Sequence, residues 1–345
     1  MASAATPPQR IQPPEEPPIE TLLAELEERR QAGDHAAIAE GCMRVAQACA
    51  ARSSFRRALT LYEEALKTYD QLDDQAARLL CLKNMAGICY REGGWNRALD
   101  LYHQALALLS GPDARAEIAL TYSQIGSVYQ GQGDWEKALA AYRTSLTIRE
   151  ELGDTRGTGL LFNNLGSVFA RQERWEEACD AWSKCLVLHE RTGDHAGQAI
   201  TLGNLGSVSQ RQCHWADALA WYERSLAVYR KGGDPLGEAT IWNNVGFVQK
   251  QLGKLDQALA AYQEGLTLLQ KIGDSLRATV AMYNMAVVHE DQGNYREALR
   301  LLEQVIELDR RIGHPDLRRD METFRRVRQK LDVERDSKRM QEEQA

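Results

Sequence analysis

A bulky residue returns every forty positions through most of this 345-residue chain, and that recurrence leaves few folds open to it. From Phe55 the series runs Trp95, Trp135, Trp175, Trp215, Leu255 and Tyr295. Three residues further on stand Ala58, Ala98, Ala138, Ala178, Ala218, Ala258 and Ala298. An aromatic series follows at Tyr62, Tyr102, Tyr142, Trp182, Tyr222 and Tyr262, ending in Leu302. These spacings fall on one side of a helix, so each unit carries a helix here. A second stripe precedes it, read in the third unit as Tyr122, Ile125, Gly126 and Tyr129. Its small member recurs as Ala46, Ala86, Gly126, Gly166, Gly206, Gly246 and Ala286. Small residues let two backbones approach, and nearby aromatics fill the flanking holes, so the two stripes predict a helical hairpin. A glycine inside a helix costs about 1 kcal/mol relative to alanine, so glycines held at one register point to close packing.

Punctuation agrees with the stripes. Gly153-Asp154, Gly193-Asp194, Gly233-Asp234 and Gly273-Asp274 combine a left-handed helix stop with an N-cap for the next helix. Within hairpins Gly93-Gly94, Gly133-Asp134, Gly253-Lys254 and Gly293-Asn294 serve the same end, while Glu173-Arg174 and Cys213-His214 lack glycine and predict less sharply specified turns. The register gives seven hairpins over 35–314, divided as 35–74, 75–114, 115–154, 155–194, 195–234, 235–274 and 275–314. Residues 19–34 read as a solitary second helix, with Leu26 matching Leu66. Residues 315–345 read as a capping helix and charged tail, with Leu317, Met321, Phe324, Val327 and Leu331 on one side. The proline-rich stretch 1–18 is expected to be a disordered tail.

Composition narrows the function classes. A net charge of −7 argues against nucleic acid as the main partner, since phosphate binding needs clustered cations. Neither an apolar run long enough to span a membrane nor a secretory signal is visible, so no membrane insertion and a cytoplasmic setting are expected. Seven cysteines with no Cys-x-x-Cys pair suit a reduced protein without a disulfide framework. The seven histidines follow no repeated spacing, and Cys213-His214 has no matching pair at zinc-ligand distance, so no metal or cofactor is expected. Cys185 stands at a packing position, which favours a structural thiol over a nucleophile. No catalytic motif occurs, and no enzyme activity is expected.

The pattern Leu165-Gly166, Phe169, Trp175, Ala178, Trp182 and Cys185 resembles the tetratricopeptide repeat. That family commonly has a shorter period and a proline closing the second helix, where this chain has Leu152-Gly153-Asp154. The forty-residue unit is similar to the long-repeat branch of spindle-orientation adaptors with Leu-Gly-Asn repeats and of kinesin light chains. The resemblance implies an all-α fold, a right-handed superhelical solenoid of antiparallel helix hairpins whose first helices line a concave groove. Two positions before each small residue stands an amide: Asn84, Gln124, Asn164, Asn204, Asn244 and Asn284. Amides both donate and accept, so such a row suits the backbone of an extended peptide. In the resembling families, asparagines at this place grip peptides; the alternative is that they bond between neighbouring helices. Lys83, Tyr90, Arg91, Arg171 and Arg211 surround the row, which predicts a basic stretch favourable to an acidic segment, with Glu290 and Asp291 making the far end acidic. Gly87 stands where a carboxylate clamp would need a second asparagine, so that clamp is not expected. The expected function is a non-catalytic scaffold or adaptor that binds a protein partner through a peptide segment. The alternatives are a regulatory sensor acting in trans on a transcription or signalling partner, and a structural homo-oligomer subunit. A monomer is expected, with the C-terminal helix as the candidate homodimer contact.

Overall fold

A computed structural model of the protein describes residues 18–344; the tail expected over 1–18 lies, except for Pro18, outside the described residues. Among these residues the regular structure is helical throughout, in sixteen α-helices and one 3₁₀ turn. The fold is an all-α repeat solenoid. The chain divides into two compact units, Met1–Gly153 and Asp154–Ala345.

The first unit contains α1 (Ile19–Ala32), α2 (His35–Ala51), α3 (Phe55–Gln71), α4 (Gln75–Arg91), α5 (Trp95–Ala107), α6 (Arg115–Gln132) and α7 (Trp135–Glu151). Lone α1 packs on the α2–α3 hairpin, and α4–α5 and α6–α7 follow. At 13 residues α5 is shorter than α3, at 17. Gly111, with φ of 85°, breaks the path, and Pro112 opens the 3₁₀ turn Pro112–Ala114 at a position where its missing N–H costs nothing.

The second unit contains α8 (Thr155–Arg171), α9 (Trp175–Thr192), α10 (His195–Arg211), α11 (Trp215–Gly232), α12 (Pro235–Gln251), α13 (Leu255–Ile272), α14 (Ser275–Asp291), α15 (Tyr295–Ile312) and α16 (Leu317–Gln344). Each first helix packs on its hairpin partner, α10, α12 and α14 pack also on the second helix before them, and α10–α12 and α12–α14 touch as well.

Local chemistry explains where helices start and stop. The carboxylate of Asp194 accepts the Gly197 N–H at 2.9 Å, and Asp274 accepts that of Arg277 at 3.0 Å. Asp34, Asp74, Asp134, Asp154 and Asp234 cap their helices in the same way. Left-handed Gly193, Gly233, Gly273 and Gly313 end α9, α11, α13 and α15. Glu173 and Cys213 corrected one expectation: both take φ of 60°, so their turns are as sharp as the glycine turns.

The core follows the stripes. Ala58, Ala98, Ala138, Ala178, Ala218, Ala258 and Ala298 are all 0% exposed. Opposite them the small residues of the first helices meet the aromatic series. A Cβ on Gly166 would come within 2.7 Å of the Trp182 ring, and one on Gly206 within 2.5 Å of Tyr222. These glycines therefore let the ring lie directly on the helix backbone. At the C-terminal end Val327 and Leu331 of α16 are buried, and Glu290 of α14 binds both Arg326 and Lys330 of α16.

Candidate functional site

In the second unit the first helices α8, α10, α12 and α14 carry the amides Asn164, Asn204, Asn244 and Asn284, all half-buried. Two of the four are tied laterally. Asn204 donates to Asn163 Oδ1 at 3.2 Å, and Asn284 donates to Asn243 Oδ1 at 2.9 Å. Asn163 also receives the Trp182 indole N–H, through both its backbone and side-chain oxygens at 3.2 Å. Asn164 and Asn244 make no side-chain hydrogen bond among the described residues and are open to solvent on one side. The amide row thus alternates, with helix-bridging members between unengaged ones.

Residues four before, three after and seven after each amide share its helix face. On α8 these are Leu160, Ser167 and Arg171, and on α10 Ile200, Ser207 and Arg211. Leu160 is 54% exposed and Ile200 48%, so each helix shows an open aliphatic one turn before its amide. Val280 of α14 and Phe247 of α12 are also exposed. Ser207 is spent on Tyr222, whose hydroxyl it meets at 3.3 Å. Arg171 and Arg211 are exposed and have no ion-pair partner among the described residues. The strip therefore has an aliphatic margin, an amide centre and a cationic margin.

The first unit holds the other predicted residues. Asn84 reaches the Tyr62 hydroxyl, and the side-chain oxygen of Gln124 is buried without a hydrogen-bond partner. Lys83 is mostly buried and paired with Glu117 of α6; burial lowers its pKa. Tyr90 packs edge-on against Trp95, ring centres 5.4 Å apart, and Arg91 lies over the Phe55 ring at 4.7 Å. Leu80, exposed, precedes Asn84 by one turn, as Leu160 precedes Asn164.

The acidic end expected from Glu290 and Asp291 is electrically quenched. Burial opposes the charge on Glu290, but Arg326 and Lys330 outweigh it and hold the carboxyl below its usual range. Asp291 pairs with Lys250 at 3.0 Å.

The tetratricopeptide repeat pattern matches residues 117–172, 157–231 and 237–311, and a second pattern of the same repeat matches 81–116. The chain belongs to the tetratricopeptide repeat family. No curated protein matches it. Solved structures share the fold at low identity. A signal transduction ATPase with numerous domains from Pyrococcus horikoshii, which has a tetratricopeptide repeat sensor, is 15% identical with a TM-score of 0.66, over 92% of this chain and 50% of that one. Aspartyl phosphate phosphatase F from Bacillus subtilis is 12% identical with a TM-score of 0.62, over 96% of each chain. A kinesin light chain with nearly identical repeats from Podosopora anserina is 13% identical with a TM-score of 0.51, over 59% of this chain and 99% of that one.

Among tetratricopeptide repeat side chains here, one group invites a chemical reading. Cys185 and His189 lie one turn apart on α9, and His189 Nδ1 is 3.0 Å from Asp194 Oδ2. Cys185 is fully buried against Thr201 at 3.3 Å, and burial pushes its thiol pKa up, away from a reactive thiolate. The group packs the α9–α10 junction, where Gly197 makes room for the imidazole. Among the described residues no cluster of three or more His, Cys, Asp or Glu could hold a metal, and no helix is long and apolar enough to cross a membrane.

The aliphatic margin escaped the sequence reading, although Leu80, Leu120, Leu160 and Ile200 recur at forty-residue spacing. The signal was available. An aliphatic on a helix reads by default as core, and only its exposure separates the two.

Proposed function

We propose that the protein is a non-catalytic scaffold that holds an extended segment of a partner protein along the first-helix face of α8, α10, α12 and α14. The observation that carries this reading is the pair of unengaged amides, Asn164 and Asn244, between an exposed aliphatic margin and the unpaired guanidinium groups of Arg171 and Arg211. Amides can bond any peptide backbone, apolar side chains of the segment would cover Leu160 and Ile200, and its carboxylates would meet the two arginines. Lys83 and Tyr90, engaged within the first unit, take a packing role in this reading. The protein is proposed to work as a cytoplasmic monomer.

Affinity capture tests this with wild type beside Asn164→Ala/Asn244→Ala. Neither side chain bridges helices, so the variant should keep its helical signal and unfolding midpoint while losing captured partners about tenfold, as expected when backbone-pairing amides are removed. Asn163→Ala serves as the contrast, because it removes the bonds to Trp182 and Asn204 and should lower stability first. Equal recovery of the same partners by wild type and the double variant would sink the groove reading. A second reading, a sensor acting in trans, draws support from the Pyrococcus horikoshii protein, whose repeats form its sensor. It predicts recovery of one signalling partner whose activity changes on binding.

A further inference from the structure

The last junction of the second unit buries carboxyl groups where the other junctions of that unit hold His189, Tyr229 and Leu269. In steps of forty from Tyr69 come Leu109, Arg149, His189, Tyr229 and Leu269, then Asp309. Asp309 of α15 is 0% exposed, and no donor reaches either of its oxygens. The carboxyl group facing it is Asp320 of α16, itself 2% exposed. A buried carboxylate without a donor is among the costliest groups a core can hold. Two facing carboxyls escape that cost by keeping one proton, since the protonated group donates to its neighbour.

The charges around the pair come from three elements. On α16, Arg319 Nε meets Asp320 Oδ1 at 3.0 Å while its Nη2 meets Asp316 at 3.0 Å. On α14, the Tyr283 ring lies under the Arg319 guanidinium at 4.5 Å, and its hydroxyl is 3.3 Å from Thr323. In the turn between α15 and α16, His314 Nδ1 accepts the Asp316 N–H at 3.0 Å. Further along, Glu290 holds Arg326 and Lys330. One cation, Arg319, meets Asp320 and Asp316 while no cation is paired with Asp309 among the described residues, so ionising both Asp309 and Asp320 leaves a negative charge in the junction. Burial first, and then the facing Asp309, push the Asp320 carboxyl up to about 6 against the pull of Arg319.

We propose that Asp309 and Asp320 share one proton that seats α16 on α15, so that loss of this proton loosens the C-terminal helix. The sign follows from the raised group: its stabilising effect is complete below the ordinary aspartate range and is lost as pH rises through about 6. Val327 and Leu331, buried in one cluster with Leu302 and Val305, would then be uncovered.

Hydrogen exchange on the full chain between pH 5 and 7.5, corrected for intrinsic rates, reads this directly. Protection of 317–331 relative to α12 and α13 should fall at least about tenfold across the range, the change that one pKa unit of linkage produces. Asp309→Asn and Asp320→Asn should each flatten the profile, because the amide donates permanently to the remaining carboxylate. His314→Gln should keep the slope. A flat wild-type profile, an unchanged slope in both asparagine variants, or a slope abolished by His314→Gln would overturn the proposal. Normal α12–α13 protection checks the fold of each variant. Carbon-13 titration of wild-type carboxyls gives a second measure, and ordinary aspartate behaviour at both positions would also overturn it.

Discussion

At Glu173 and Cys213 the backbone takes φ of 60°, the left-handed conformation that Gly153 and Gly193 reach at 69° and 67°. A side chain in that region meets the following carbonyl at a cost of roughly 1–2 kcal/mol, which glycine avoids. Glycine returns part of the gain through the larger freedom of its unfolded chain, about 0.5–1 kcal/mol. The balance favours Glu173→Gly and Cys213→Gly, each expected to stabilise the second unit by about 0.5–1 kcal/mol in chemical denaturation. A lowered unfolding midpoint in both variants would show that the native side chains contribute something the strain argument misses. These turns also show why part of the fold was legible and part not. The stripes fixed where the chain must reverse, because Trp175 and Trp215 begin the next helix whatever precedes them. The geometry of the reversal was misjudged, since closure by the flanking helices imposes the left-handed turn even on residues that resist it.

On the scale of elements, α16 is held by two carboxyl devices that titrate in opposite senses. Glu290, depressed by Arg326 and Lys330, contributes stability that is present above the ordinary glutamate range and is lost as pH falls through its lowered value. Asp320, raised by burial, contributes below its ordinary range and loses that contribution as pH rises through about 6. Seating of α16 should therefore be firmest in mildly acid solution, between the two limits. Glu290→Gln removes the acid limb and should weaken α16 by about 1.5–3 kcal/mol, the usual worth of hydrogen bonds to charged groups. Exchange protection of 317–331 at pH 4 to 8 checks this; an acid limb that survives the substitution would mean that another group anchors the helix. Neither device was legible in the sequence. Glu290 read as a lining carboxylate and nothing in the forty-residue pattern singled out Asp309, because their partners lie on another element and only packing reveals the pairs. The partner of Lys83 was hidden for the same reason, since Glu117 lies on the neighbouring first helix.

On the scale of the whole molecule, each unit is a row of hairpins stabilised by contacts with its neighbours, so the position of a defect along the row decides how far it spreads. Gly206 lies in the interior of the second unit, with the fully buried Tyr222 ring 2.5 Å from where its Cβ would be. Gly206→Val must push that ring away and adds a β-branched residue to a helix, an overpacking cost of about 2 kcal/mol. The loss acts on the α10–α11 hairpin and, through α9 and α12, on the hairpins at either side. Glu290→Gln removes a similar free energy in the last hairpin of the described residues, where α16 packs on α15 and is tied to α14. The interior variant should lower exchange protection across α8 to α13 together and reduce the main unfolding midpoint. The terminal variant should lower protection in α16 by a comparable factor and leave α10 and α11 within about twofold, which is under 0.5 kcal/mol. If both variants lowered protection uniformly from α8 to α16, the unit would be behaving as a single cooperative core, and the nearest-neighbour account would be wrong for it. The contrast also bears on binding, because the amides Asn164 and Asn244 lie on α8 and α12, on helices whose order the interior contacts maintain and the terminal ones do not. Partner capture should accordingly be weakened by Gly206→Val and be insensitive to Glu290→Gln.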